Sequence, residues 1–400
     1  MVKTALLFYV SLSERQRTQF VFYIIFAIMQ GHLHIISFDI PYPANYGGVI
    51  DVFHKIRCLN QIGVKVILHC FEYGGKKGSP ELESMCEKVY YYKRNTSLLN
   101  HLSYLPYNIK SRIDLTLKQN LLKDNYPILF EVLHTCYLLN DTDFASRKKL
   151  FRHSNIEHYY FLELAKGEKS FLKKIYLHIE ALKLKFFEKK IKTADCILAV
   201  SETDLLYFKN KYPNTPSIYL PSFHQFDYLR CKSGKGNYIL YHGNLSISEN
   251  YNAALWLIKN VFSKLNYPII IAGLNPPQHL VAAINAYPQI TLQQNCSELE
   301  MQMLIEEAQI HCLYTEQATG LKLKLLNVLY SGRFVIANNE MLAGTQLKVA
   351  CNLANTPDEY IQEINILFQK VFTSEEILTR KNLVAKMNNS EKVKALLEVI

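Results

Sequence analysis

Short apolar runs alternate along this chain with longer stretches in which apolar residues recur every three or four positions. The runs lie at 34–38 (HIISF), 64–71 (VKVILHCF), 127–133 (PILFEVL) and 194–200 (ADCILAV) in the first half. In the second half they lie at 238–242 (YILYH), 268–272 (PIIIA), 310–314 (IHCLY) and 334–337 (FVIA). Near-continuous Ile, Leu and Val over four to eight residues is the pattern of strands buried on both faces of a parallel sheet. Helical spacing follows them: Val52, Ile56, Leu59 and Ile62, closed by Gly63; Ala253, Leu257 and Val261 within 250–265. A further stripe of Leu321, Leu325, Val328 and Leu329 opens at Gly320 and stops at Gly332. A strand, a helix and a strand within about thirty residues make a βαβ crossover, so the chain is predicted to be α/β. Pro213, Pro216 and Pro221, then the polar stretch 232–237, mark a break. The predicted organisation is an extension 1–28, a domain 29–220, a linker 221–237 and a second domain 238–400. Helices from about Asp358 are expected to pack on that second domain or to cross back.

Parallel crossovers place chemistry at the carboxyl ends of strands, where the next helix presents unpaired N–H groups to a phosphate. Thr319 and Gly320 would allow close backbone approach there, Lys322 and Lys324 supply cations, and Asn327 offers a side chain to a sugar hydroxyl. That is the outline of a nucleotide-diphosphate pocket. Gly47 and Gly48 open the first helix and serve either a tight turn or backbone approach to a phosphate. His134 leaves the end of a predicted strand. Arg152, His153, Asn155 and Glu157 form a dense polar cluster, read equally as a capped helix start or as a site. Neither a Ser/His/Asp triad nor paired carboxylates at hydrolytic spacing stand out.

The segment GLKLKLLNVLYSGRFVIAN resembles the signature of retaining family-4 glycosyltransferases of GT-B fold, usually G-x-x-x-K-x-L-E-A-x-x-x-G-x-P-V-V-A. The P-x-P…G-G stretch before residue 49, the RHSNIEH string at 152–158 and Y-x-x-x-x-G-N-L-S from Tyr238 resemble the same family. The likeness spans roughly residues 29–345. It implies an α/β protein of two Rossmann-like domains facing across a cleft, acceptor-side first and donor-binding second. The implied reaction moves a hexose-type sugar from a nucleoside-diphosphate sugar to a saccharide or lipid-linked acceptor, with retention, in cell-surface polysaccharide synthesis. Donor-binding positions would be Gly47, Gly48, Gly243, Asn244, Thr319, Gly320, Leu321 and Asn327. His134 would contact the transferred sugar, with Lys322 and Lys324 on the departing phosphate; Arg152, His153, Asn155 and Glu157 would lie toward the acceptor. No metal and no cofactor are expected, because a helix end and cations take the metal's role.

Four polar positions depart from the family. Asn244 and Glu249 stand where an arginine and a lysine are usual, and Thr319 and Asn327 where two glutamates are usual. Losing a cation that stabilises departing charge costs about 10²-fold or more in rate. Lys322, Lys324 or an arginine of the first domain would have to substitute. A second expectation is therefore a weak or inactive GT-B-like subunit that binds a sugar nucleotide in a polysaccharide assembly. A sugar-nucleotide epimerase is disfavoured, for want of carboxylates suited to proton abstraction.

The formal net charge of +10 points to an acidic partner. No recognition helix or RNA-binding aromatic signature is present, so phosphorylated substrates and anionic lipid are favoured over nucleic acid. The basic excess peaks in a predicted helix from Lys169 to Lys192, whose apolar stripe is Phe171, Ile175, Ile179, Leu182 and Phe186. That helix is read either as a core helix with a solvated lysine face or as a peripheral contact with an anionic membrane. Nine cysteines without a C-x-x-C pair fit a reducing compartment, and a cytoplasmic location is expected. The apolar run 19–29 is shorter than the roughly 20 residues a bilayer needs, and no signal-peptide cleavage site follows it. Either Met29 is the physiological start, or residues 1–28 are a membrane-facing extension.

Overall fold

The computed structural model describes residues 31–400 apart from Asn45, Asp227, 317–322 and Gln346. The chain divides into two compact units. The first runs to Ala199 and includes Tyr207–His224 and Val393–Ile400; the second comprises Val200–Leu206 and Gln225–Lys392.

In chain order the first unit contains β1 (His32–Ser37), α1 (Gly47–Gln61), β2 (Lys65–Glu72), β3 (Lys88–Lys93), β4 (Ile128–Glu131), β5 (Lys149–Arg152), α2 (Glu157–Gly167), α3 (Phe171–Phe187), β6 (Cys196–Ala199) and β7 (Ser217–Tyr219). Its seven strands lie in the order β3-β2-β1-β4-β5-β6-β7 and every pair is parallel. The reversal of strand order between β1 and β4 is the switch point of a doubly wound sheet. Val52, Ile56 and Leu59 of α1 pack onto Leu33, Ile35, Val66 and Leu68, as their spacing predicts. The same core takes in Val393, Leu396 and Leu397 from the chain's last helix.

The second unit contains β8 (Ile239–Gly243), α4 (Ser248–Asn260), β9 (Ile269–Gly273), β10 (Ile290–Gln294), β11 (Ile310–Leu313), α5 (Leu323–Ser331), β12 (Phe334–Ala337) and β13 (Asn352–Leu353). Its sheet, again parallel, has the order β10-β9-β8-β11-β12-β13. The predicted strands are present, most with ends within a residue or two of the expected ones. The weakly apolar edge strands β3, β7, β10 and β13 are not signalled by a strong run.

One helix departs from expectation. The stripe of α3 predicted to share a face does so, but it faces solvent: Phe171 is 74% exposed, Leu182 55% and Phe186 60%. The buried side is instead Glu180, Ala181, Leu184 and Phe187. Two carboxylates can lie inward because each is paired, which burial otherwise forbids. Glu180 accepts from Lys183 at 2.9 Å and from the Tyr107 N–H at 2.7 Å. Glu188, just past the helix, accepts from Lys211 at 2.5 Å, from Tyr207 at 2.8 Å and lies 3.0 Å from His158. Burial works against its ionisation, but these partners prevail and hold its carboxyl down at about 2.

Each unit also holds a neighbouring pair of buried histidines. In the first unit His34 Nδ1 and His69 Nε2 are 2.8 Å apart, His34 Nε2 is 2.9 Å from Asp124 and His69 Nδ1 is 2.8 Å from the Tyr92 hydroxyl. In the second, His242 and His311 lie on β8 and β11 with their rings 6.5 Å apart. Burial lowers all four pKa values, His242 to about 3. His69, His242 and His311, lowered furthest, are neutral when folded and take up a proton on unfolding once the pH is below about 6.5. Stability is complete above that pH and falls as the pH drops, by about 1.4 kcal/mol per pH unit per neutral histidine. Moving from pH 7.5 to 5.5 is expected to cost the second unit about 2–3 kcal/mol and the first about 1.4 kcal/mol, read as lower urea midpoints. Equal midpoints at the two pH values would refute this.

Candidate functional site

In the second unit, polar groups converge where β8, β9, β11 and β12 end. β8 and β9 finish at Gly243 and Gly273, and a Cβ on Gly273 would stand 1.9 Å from the Gly243 carbonyl oxygen. Only glycine fits this approach. Asn244 then closes an Asx turn, its Oδ1 accepting from the Ser246 N–H at 3.1 Å and hydroxyl at 2.7 Å. The turn delivers α4, whose first residues carry Glu249 and Asn250.

Asn250 is the hub. Its Nδ2 donates to the Asn244 carbonyl at 2.9 Å, its own carbonyl accepts from the Tyr241 hydroxyl at 2.7 Å, and its Oδ1 accepts from Lys324 Nζ at 2.8 Å. Lys324, in the first turn of the described α5, thus has its ammonium held at the strand ends, 5.7 Å over the Tyr241 ring. After burial, Lys324 is the charge that lowers the pKa of His242. A second string crosses from α4 to β12. Thr315 donates to Glu249 at 2.7 Å, and Asn338 bridges the Thr315 carbonyl at 2.7 Å and Glu340 at 2.6 Å. Farther along α5, Asn327 Oδ1 is buried with no hydrogen-bond partner among the described residues. Buried carbonyl groups of this kind are normally paired. Thr319, Gly320, Leu321 and Lys322 lie outside the described residues.

In the first unit the strand ends carry a different set. β4 stops at Glu131 because Val132 takes φ 58° and ψ 163°, a backbone region costly for a β-branched residue. The chain turns there into a 3-10 segment, Leu133–Leu138, kinked at Cys136, whose start bears His134. His134 Nε2 lies 3.2 Å from Glu157 Oε2 and 3.4 Å from Asn108 Nδ2. So His134 and Glu157, far apart in sequence, meet. Sequence reasoning missed their neighbours: Asn108 also accepts from Arg94 at 2.9 Å, and Arg112 donates to the Asn108 carbonyl at 2.7 Å and the Phe38 carbonyl at 2.8 Å. These residues lie in a stretch with no strong motif, so no local signal marks them.

Arg152 and His153 are not beside His134 in this way. Arg152 is fully buried, paired with Asp51 at 3.1 Å and donating to the Leu220 carbonyl. His153 is buried edge-on against Phe208, with ring centroids 4.8 Å apart, and Asn155 is half-buried. Gly48 packs under Phe38, where a Cβ would come 2.7 Å from the ring, so a steric reason already accounts for its size. Gly47 opens α1 beside it.

Two parallel doubly wound units of this kind make the chain a GT-B fold, and solved structures agree. TarM aligns with a TM-score of 0.65 at 9% identity, covering 92% of this chain and 98% of that one. A UDP-forming α,α-trehalose-phosphate synthase from Burkholderia vietnamiensis aligns with a TM-score of 0.57 at 7% identity, covering 92% and 99%. A mutant S. aureus TarM in complex with fondaparinux, α-GlcNAc-glycerol and UDP aligns at 0.63 with 10% identity, covering 92% and 99%. In sequence, the chain is 28% identical over 348 residues to an uncharacterized 44.6 kDa protein in the cps region of Klebsiella pneumoniae, spanning 82% of this chain and 88% of that protein. No family model matches this sequence.

Proposed function

We propose that the protein is a glycosyltransferase of the family-4 kind, moving a sugar from a nucleoside-diphosphate donor to a saccharide or lipid-linked acceptor with retention. The observation that carries this is the Lys324 ammonium, held by Asn250 at the carboxyl ends of a GT-B donor-side sheet. A fixed cation at strand ends suits a diphosphate, whose charge grows as the sugar departs. Asn327, with an unsatisfied buried oxygen, suits a ribose hydroxyl through a neutral hydrogen bond. In the first unit, Glu157 orients His134 for contact with sugar hydroxyls. The relative in a cps region supports a role in capsule or other surface polysaccharide, and one trehalose-6-phosphate synthase neighbour is described in terms of glycosyltransfer with retention.

A second reading rests on Glu249. Where the family has a cation, this carboxylate is engaged by Thr315 at 2.7 Å. That arrangement favours a subunit that binds a sugar nucleotide without turning it over.

Thermal-shift and turnover measurements with UDP-, GDP-, ADP- and CMP-sugars separate the readings. The expected result is stabilisation by one donor class together with hydrolysis or transfer, unchanged by EDTA. Binding without turnover across the panel selects the subunit. No stabilisation by any donor removes both, and loss of activity in EDTA restored by Mn²⁺ removes the metal-free expectation.

A further inference from the structure

The outward stripe of α3 is the largest feature the donor reading leaves unused. Helices normally turn such a stripe inward, and a large contiguous exposed apolar surface marks an interaction site. At about 100° per residue, Leu172 and Ile179 lie beside the face occupied by Tyr176, Glu180 and Lys183. That face grips the 3-10 turn Leu98–Leu102: His101 Nδ1 is 3.0 Å from the Tyr176 hydroxyl, and Lys183 donates to the His101 carbonyl at 3.2 Å. The turn adds its own exposed residues, Leu98 at 81%, Leu99 at 74% and Leu102 at 84%, with Tyr104 at 87% just beyond. One apolar surface therefore runs from the turn across the stripe.

The opposite rim of the stripe is cationic. His178, Lys174, Lys185 and Lys189 follow Leu182 and Phe171 around the helix, and all are exposed. Between Lys169 and Lys192 the only acids are Glu180 and Glu188, each 1% exposed and paired internally. Thus burying two carboxylates leaves residues 169–192 with exposed cations and no exposed anion. A second copy of the chain is a poor occupant, since residues 169–192 bring exposed lysines and no exposed carboxylate to pair with a copy's lysines. An apolar face edged by cations is complementary to lipid tails beneath anionic headgroups. No described helix is long and apolar enough to cross a membrane, so the contact is interfacial.

We infer that α3 and the Leu98–Leu102 turn together form a docking surface for an anionic bilayer, with the stripe seated at the headgroup boundary and the lysines on the lipid phosphates. The surface is independent of the donor reading, and vesicle binding is measured without any turnover.

The test is flotation of the full chain with phosphatidylcholine vesicles, with and without phosphatidylglycerol, across a salt series. The wild type is expected to float with the anionic vesicles, less so as salt rises. Leu172→Asp/Phe186→Asp, at positions 78% and 60% exposed, is expected to abolish flotation while keeping the wild-type melting temperature. Lys174→Gln/Lys185→Gln/Lys189→Gln is expected to lower partitioning by about 10²-fold and to remove the phosphatidylglycerol preference, at about fivefold per lysine. Equal recovery from both kinds of vesicle overturns the inference. So does wild-type flotation by the apolar variant, which would place the anchor elsewhere, for example in 19–29. A lipid-free dimer that the Leu172→Asp/Phe186→Asp variant dissociates also overturns it, assigning the face to a second copy.

Discussion

Arg152→Met is expected to destabilise the first unit by about 3–5 kcal/mol, the usual cost of breaking one side of a buried ion pair. Asp51 and Lys55 from α1, Glu131 from the end of β4 and Arg152 from the end of β5 form a neutral buried quartet. Lys55 bridges Asp51 at 3.3 Å and Glu131 at 2.5 Å, and Asp51 also accepts from the Phe223 N–H at 2.6 Å. Burial opposes ionisation of Asp51, but Arg152 and Lys55 outweigh it and hold the carboxyl below its ordinary range. Burial raises the neighbouring Glu131, with Lys55 opposing. Removing Arg152 strands charge in a fully buried site. It also leaves the Leu220 carbonyl without its donor. The measurement is the urea or thermal midpoint of the purified variant. Asp51→Asn added to Arg152→Met is expected to recover part of the loss, because it removes the charge left unpaired. The family resemblance places Arg152 toward the acceptor. That role would raise the acceptor KM with the melting temperature unchanged, and such an outcome would defeat the structural assignment.

Lys324→Met is expected to lower donor turnover by about 10²-fold or more while leaving the fold intact. Lys324 is half-buried and its ammonium donates to Asn250 Oδ1, so its loss removes a charge at the strand ends rather than a piece of the core. Lys324→Arg should retain part of the activity, since the charge stays but the guanidinium cannot reproduce the same contact with Asn250. Asn250→Ala is expected to act in the same direction more weakly, by freeing the lysine rather than removing it. If Lys324→Met turned over donor at the wild-type rate, the cation at the strand ends would have no part in the reaction, and the phosphate-binding reading would fall.

Much of the architecture was legible from residue order. Runs such as FVIA at 334–337, β-branched and bounded by Gly332 and Asn338, match interior strands, and the observed β12 has those bounds. The inward stripe Val52, Ile56 and Leu59 followed from helical period alone. The site was legible less evenly. Lys324 and Asn327 were marked by their place after a strand, whereas Asn250, which holds Lys324, comes from a helix 74 positions earlier. His134 is marked by leaving a strand, but its partner Glu157 lies in sequence beside Arg152, which pairs instead with Asp51.

What the sequence determined by itself was alternation: which residues share a strand, which share a helical face, and hence two parallel α/β units. What only the tertiary structure decided was direction. Periodicity says that Phe171, Ile175, Ile179, Leu182 and Phe186 lie together, yet it is silent on whether that face meets the core or the solvent. Here two glutamates found Lys183, Lys211 and the Tyr107 amide within reach, so the polar side could go inward and the apolar side was left outside. Pairings of that sort depend on groups brought together by the fold, because electrostatic and hydrogen-bond energies follow distance in space and not separation along the chain.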